Sequence, residues 1–81
     1  MDLVEVIWED SQCSDAGWLM KDDFEEWAAE GPLVVRTVGL LERETENTLV
    51  VIQCDTSGQV LHGVKIPKRC VVERKALRAT A

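Results

Sequence analysis

Short apolar runs rich in β-branched residues, each ended by turn-forming residues, succeed one another along this chain. They occupy residues 3–8, 33–43, 48–54 and 59–66. The first run alternates between two faces, which is typical of a strand with one buried side. The third is almost continuously apolar, which predicts a strand covered on both faces. The chain is therefore expected to be mainly β.

One segment has helical spacing instead. Met20, Phe24, Trp27 and Ala28 recur at the intervals that place side chains on one face of a helix. We expect this face to cover the core, with Trp27 buried in it, while acidic residues occupy the opposite face.

Both ends of this helix carry signals. Asp22 stands three residues before Glu25, the spacing of a cap and its box partner. Gly31 is expected to adopt a left-handed conformation, and Pro32 cannot continue the hydrogen-bond ladder. The helix is therefore predicted to end at Glu30.

The strand pattern predicts an SH3-like small barrel of five strands, with the helix inserted in the long first loop. Gly39 lies inside the second strand, where a bend or a close backbone approach is expected. Pro67 begins a single tight turn before the last short strand, residues 70–73. An open α+β sheet is the alternative architecture.

The length allows one domain only. Its 81 residues have enough apolar material for a single core, which we expect to span about residues 3–74 of the domain 1–81. Residues 75–81 are predicted to fray. No apolar run approaches the roughly 18 residues that a membrane span requires, so no membrane association is expected.

Charge is distributed unevenly along the chain. Residues 1–30 contain ten acids and one lysine, whereas residues 61–81 contain six bases and one acid. Nucleic acid is not expected as a partner of so acidic a chain, because affinity for phosphates requires clustered cations. We expect the basic segment to pair with the acidic segment, within the domain or in a neighbouring copy. A polyanion site is the alternative.

Three cysteines, Cys13, Cys54 and Cys70, lie far apart without the spacing of a zinc site or a disulfide framework. Cys54 and Cys70 are expected in the core and Cys13 in an exposed loop. The acidic N-terminus does not resemble a signal peptide. These features favour a reducing cytoplasm and a fold that needs neither metal nor cofactor.

Catalytic residues are scarce. His62 is the only histidine, and it lies in a predicted strand without a sequence-linked nucleophile. The sequence also contains no glycine-rich phosphate-binding motif. We therefore expect a protein that is not an enzyme.

The candidate binding residues surround the first loop. Trp8 and Trp18 bracket this polar loop and would form the floor of a groove for a peptide or a small planar ligand. Asp10 and Ser11 would supply polar contacts and Lys68 a cation. The alternative is that both tryptophans simply anchor the loop to a small barrel.

Five motifs occur in an order that resembles a known family. They are Trp8-Glu9-Asp10-Ser11, Gly17-Trp18, an acidic helix with Trp27, Val38-Gly39-Leu40-Leu41 followed by Glu44, and Ile66-Pro67-Lys68. The pattern W-x-D-S/A, V-G-x-L and I-P-K is similar to that of short uncharacterised tailed-bacteriophage proteins, over roughly residues 4–74. The resemblance implies a phage gene expressed in the cytoplasm of an infected bacterial host. It implies no catalytic residue.

The sequence thus favours a phage accessory protein that acts as a small protein-interaction module. Its expected partner is a host or phage protein, or a second copy of itself. A small-molecule or nucleotide-signal sponge acting against host defence is one alternative, and a minor virion component is another.

Overall fold

The computed structural model describes residues 1–14 and 17–78. The elements in chain order are β1 (Asp2–Asp10), α1 (Lys21–Ala29), β2 (Leu33–Glu44), β3 (Thr48–Ile52), β4 (Cys54–Asp55), β5 (Val60–Leu61), β6 (Val64–Pro67), a 3₁₀ turn (Lys68–Cys70) and β7 (Val71–Leu77). The expectation of a mainly β chain with one helix is confirmed.

Five of the strands form one antiparallel sheet with the order β6-β3-β2-β1-β7, and β4 pairs with β5 in a separate two-stranded hairpin. The two edge strands, β6 and β7, are joined by the single 3₁₀ turn that follows Pro67. Within the described residues β6 and β7 form no ladder with each other, so the sheet is open rather than closed into a barrel.

The predicted strand 59–66 is in fact two strands. β5 belongs to the small hairpin and β6 to the main sheet, and the chain turns between them at His62, whose φ is 54°. A non-glycine residue in this left-handed region marks a tight change of direction. The third strand likewise ends at Ile52, before Cys54. At the C-terminus β7 continues to Leu77, and residues 79–81 lie outside the described part of the chain.

One face of the sheet, here called the core face, carries the hydrophobic core. Alternate residues of β1 point to it, and the register pairs Val4 with Gly39 and Trp8 with Val35. The buried cluster consists of Val4, Val6, Trp8, Leu49, Val51 and Ile66. Fully burying an aliphatic side chain of this size contributes about 1.5–3 kcal/mol, so this cluster is the principal source of stability.

Gly39 lies where two backbones meet, as the sequence predicted. A Cβ atom at this position would be 2.6 Å from the Ile52 carbonyl oxygen and 2.8 Å from Val51 Cγ1. The register between β2 and β3 then shifts between Leu41 and Arg43. The glycine and this irregularity let the long strand β2 bend towards β3.

The prediction that α1 covers the core with Trp27 was wrong. None of its residues is buried, and Trp27 is only half-buried. Trp27 instead packs beside Phe24, with ring centroids 5.9 Å apart. Helical spacing shows that side chains share a face, but it does not show what that face contacts.

The molecule is elongated, with extents of 51 × 28 × 26 Å.

The predicted ends of α1 also differ from the structure. Met20 occupies the N-cap position, without a side-chain cap hydrogen bond, and Asp22 lies within the first turn. At the other end Glu30 donates its backbone N–H to the Trp27 carbonyl and then adopts an extended conformation. Because the chain leaves the helix in this extended form, no left-handed residue is needed, and Gly31 does not adopt that conformation.

Candidate functional site

Trp8 lies in the core. Its indole is buried on the core face, and its Nε1–H donates a hydrogen bond to the Thr37 hydroxyl oxygen at 3.0 Å. Both the apolar ring and the polar N–H of this tryptophan are therefore used within the sheet. This placement corresponds to the anchoring role that the sequence left open for Trp8.

Trp18 and Lys68, two further residues of the predicted binding groove, occupy different environments. Trp18 is fully exposed. Lys68 lies in the 3₁₀ turn, and its Nζ is 2.7 Å from Glu44 Oε2. The structure therefore does not bring Trp8, Trp18 and Lys68 together around one groove.

Asp10 and Ser11 do lie together. The Ser11 backbone N–H donates to Asp10 Oδ1 at 2.8 Å, and both residues line a concavity of about 190 Å³. Its other side is formed by Trp27 and by Pro32. Neither Trp8 nor Trp18 lines this concavity. It is smaller than the roughly 300 Å³ at which small-molecule sites begin.

The most conspicuous surface is one that the sequence analysis did not identify. Residues 17–32, here called the arm, expose large apolar side chains: Trp18 completely, Met20 by 75% and Phe24 by 46%. Met20 and Phe24 are four residues apart, and the Phe24 N–H donates to the Met20 carbonyl at 3.0 Å. Met20 precedes the helix in an extended conformation, and Phe24 lies within it. We call Trp18, Met20 and Phe24 the arm patch.

The polar side of the arm is acidic. Asp22 and Asp23 lie in the first turn of α1, and the helix has no basic residue in its last turn. The remaining acids of the helical segment are Glu25, Glu26 and Glu30. An exposed apolar patch bordered by charge is typical of surfaces that bind other proteins. The helical spacing of Met20, Phe24 and Trp27 is visible in the sequence, but it was interpreted as a face that covers the chain's own core.

A cluster of charges joins three separate parts of the fold. The Arg74 guanidinium donates to Glu44 Oε1 at 3.0 Å, and Lys68 contacts the other carboxylate oxygen. The hydrogen bond from Arg74, reinforced by Lys68, lowers the pKa of Glu44 from 4.5 to about 2. The cluster connects the end of β2 with the 3₁₀ turn and β7.

The expected pairing of the basic C-terminal segment with the acidic N-terminal segment takes a different form. Lys68 and Arg74 pair with Glu44, which belongs to neither segment. The acidic segment contributes Glu5, which lies 3.8 Å from Arg36. Within residues 1–14 and 17–78, no ion pair joins the two segments directly.

The cysteines follow the prediction in part. Cys13 is exposed, as expected, and Cys70 is half-buried against the core. The prediction of a buried Cys54 was wrong, because β4 leaves the main sheet and carries Cys54 into the exposed hairpin.

The described residues contain no group of three or more side chains that could hold a metal ion. No helix in that part of the chain combines the length and the apolar character needed to cross a bilayer.

The chain matches no protein-family model, and no curated protein or solved structure is significantly similar to it.

Proposed function

We propose that this chain is a non-enzymatic protein-interaction module and that the arm is its binding segment. The observation that carries the proposal is the exposure of Trp18, Met20 and Phe24 on a segment whose helix has no buried residue. In a domain of this size large apolar side chains are normally needed for the core. Leaving three of them in water is explained if a second protein covers them.

The placement of the reactive side chains supports a non-enzymatic role. His62 is exposed at the turn between β5 and β6, and Cys54 is exposed in the hairpin. Neither lines the concavity next to Asp10. Cys13 lines another concavity, with Leu19, Asp23 and Trp27 of the arm, and no histidine lies in that lining. The sheet serves in this proposal as a rigid support for the arm, which is the usual arrangement of binding loops.

We also propose that the five-stranded sheet, although it is open, has the strand arrangement of an SH3-like small barrel. Three features support this finer assignment. The strand order places β6 and β7 at the two edges, one 3₁₀ turn joins them, and Gly39 allows β2 to bend. The contact between Glu44 and Arg74 further ties the end of β2 to β7.

The biological setting that we propose is an accessory role for a tailed phage in the cytoplasm of its bacterial host. Its support is the ordered set of short motifs, from Trp8-Glu9-Asp10-Ser11 to Ile66-Pro67-Lys68. In this setting the partner of the arm is a host or phage protein, or a second copy of the chain. Mass spectrometry of purified phage particles separates this role from that of a virion component, which would be found in them.

The proposal is tested by co-expressing differently tagged copies in bacteria and capturing one of them. We expect a protein retained by the wild type, whether a cellular protein or the second tagged copy, to be lost with Trp18→Ser. The matched control is Val60→Ser, which removes an apolar side chain of 55% exposure from the hairpin. An identical set of captured proteins for all three chains would overturn the proposal.

A further inference from the structure

The sheet has a second uncovered apolar surface. On the face opposite the core face, here called the outer face, alternate residues of β1 and β2 pair across the strands, and Leu3 lies opposite Leu40. Leu77 of β7 is the neighbour of Leu3 on the other side. Val34 and Val38 continue this apolar stripe along β2, and Val34 is 61% exposed.

The total surface is larger than a monomer of this mass should expose. The accessible area is 6719 Å², whereas a compact protein of 9.1 kDa exposes about 4,900 Å². The radius of gyration of 16.6 Å likewise exceeds the value of about 12 Å for a compact chain of this length. A standard interface covers about 800 Å² per partner. The excess of about 1,800 Å² is thus sufficient for a stable dimer.

We propose that the occupant of the arm patch is the outer face of a second copy of this chain, and that the contact is reciprocal. This inference rests on the proposed function, because it names the partner of the same arm. A chain that carries both halves of one contact can form a closed two-fold dimer, in which each arm covers the other chain's sheet. The two apolar surfaces would then bury each other.

The arm is acidic, whereas the outer face carries charges of both signs. The helix of the arm is bordered by acids such as Asp22 and Asp23. The outer face presents Arg36, whose side chain is mostly exposed and whose only described ion pair, with Glu5, is a long one of 3.8 Å. Lys75 lies opposite Glu5 on β7 and is exposed. Glu9, opposite Val34, and Glu73, opposite Ile7, lie on the same face. The choice of a second copy as the occupant therefore rests on the two uncovered apolar surfaces and on the area, not on charge.

The test is sedimentation equilibrium of the wild type and three variants, each checked for folding by circular dichroism. We expect the wild type to have twice the mass of one chain, 18 kDa against 9.1 kDa, at micromolar concentration. Trp18→Ser and Val34→Glu should each raise the dimer Kd about tenfold or more. Val60→Glu, which places the same new charge outside both surfaces, should leave the Kd unchanged. Val38→Glu repeats the outer-face test if Val34→Glu melts early.

Three outcomes overturn the inference. The first is a wild-type dimer that Val34→Glu and Val38→Glu do not weaken. The second is a monomer with a scattering radius near 12 Å, which would mean that the arm folds onto its own sheet. The third is an extended monomer that still loses a captured protein with Trp18→Ser. In that case the proposed function stands and only the identity of the partner is wrong.

Discussion

The Trp8 indole N–H donates a hydrogen bond at 3.0 Å to the Thr37 hydroxyl oxygen across the β1–β2 ladder, although the two residues are 29 positions apart in the sequence. Thr37 pairs directly with Val6, so the two side chains are diagonal neighbours on the core face. This hydrogen bond replaces the one that the indole N–H would make to water. The ring is therefore buried without an unsatisfied donor.

This relationship predicts different roles for two tryptophans that flank the same loop. Trp8→Ala should lower the free energy of unfolding by about 3–5 kcal/mol, because it removes a buried ring from the core. Trp18→Ala should change it by no more than about 0.5 kcal/mol, because that side chain is fully exposed. Urea titrations monitored by circular dichroism at low protein concentration measure both values. Equal losses for the two variants would contradict this placement of Trp8.

The close approach at Gly39 gives a second prediction. Gly39→Ala places a methyl group 2.6 Å from the Ile52 carbonyl oxygen, which belongs to the backbone and cannot rotate away. We expect a loss of about 1–3 kcal/mol in unfolding free energy, as is typical of overpacking. Gly58→Ala is the matched control, since nothing lies within 4 Å of its new Cβ. If both variants melt at the wild-type temperature, β2 and β3 are not in contact at this point.

The charge cluster around Glu44 predicts a pH dependence. The pKa of Glu44 falls from 4.5 to about 2 on folding, so the carboxylate contributes its stabilisation fully above pH 4.5 and loses it as the pH falls towards 2. The difference in Tm between the wild type and Glu44→Gln should therefore shrink over this range. It should also shrink with added salt, because all three side chains are partly exposed.

The control for this experiment is Glu46→Gln, which changes a glutamate that forms no ion pair among the described residues. Its Tm should follow the wild-type pH profile. A Tm difference for Glu44→Gln that stays constant between pH 4.5 and 2 would show that Arg74 and Lys68 do not hold this carboxylate.

The cysteines should react at two rates. Cys13 and Cys54 are exposed, whereas Cys70 is half-buried against the core. A thiol reagent such as dithiobis-nitrobenzoate should therefore modify two thiols quickly in the folded protein and the third slowly. Cys70→Ser should remove the slow phase alone. Three thiols of equal reactivity would contradict the packing of Cys70, at the end of the 3₁₀ turn, against the core.

Much of the sheet was readable from the sequence because its signals are local. The alternation of Val4, Val6 and Trp8 identified β1, and Gly39 and Pro67 marked the close approach and the turn. Such signals depend on residues close in sequence, so they survive without knowledge of the tertiary contacts.

The environment of the arm could not be read in the same way. The spacing of Phe24 and Trp27 indicates an apolar helix face, but the same spacing describes a face that packs on the chain's own core and one that is left for a partner. The exposure of Cys54 could not be predicted for a similar reason, because β4 pairs with β5 outside the main sheet. The groove predicted between Trp8 and Trp18 is absent from the described residues, because Trp8 is buried in the core and its indole N–H is bonded to Thr37.

In the proposed dimer, the arm of one chain lies on the outer face of the other. Site-specific photocrosslinking tests it most directly, with a benzophenone amino acid in place of Trp18 in the purified protein. We predict a crosslinked dimer whose joined peptide contains Leu3, Val34 or Val38, and no such product with the probe at Glu46, in the exposed turn between β2 and β3. Crosslinks from position 18 that form only within one chain, or that map to the β4–β5 hairpin of the second chain, would contradict the account.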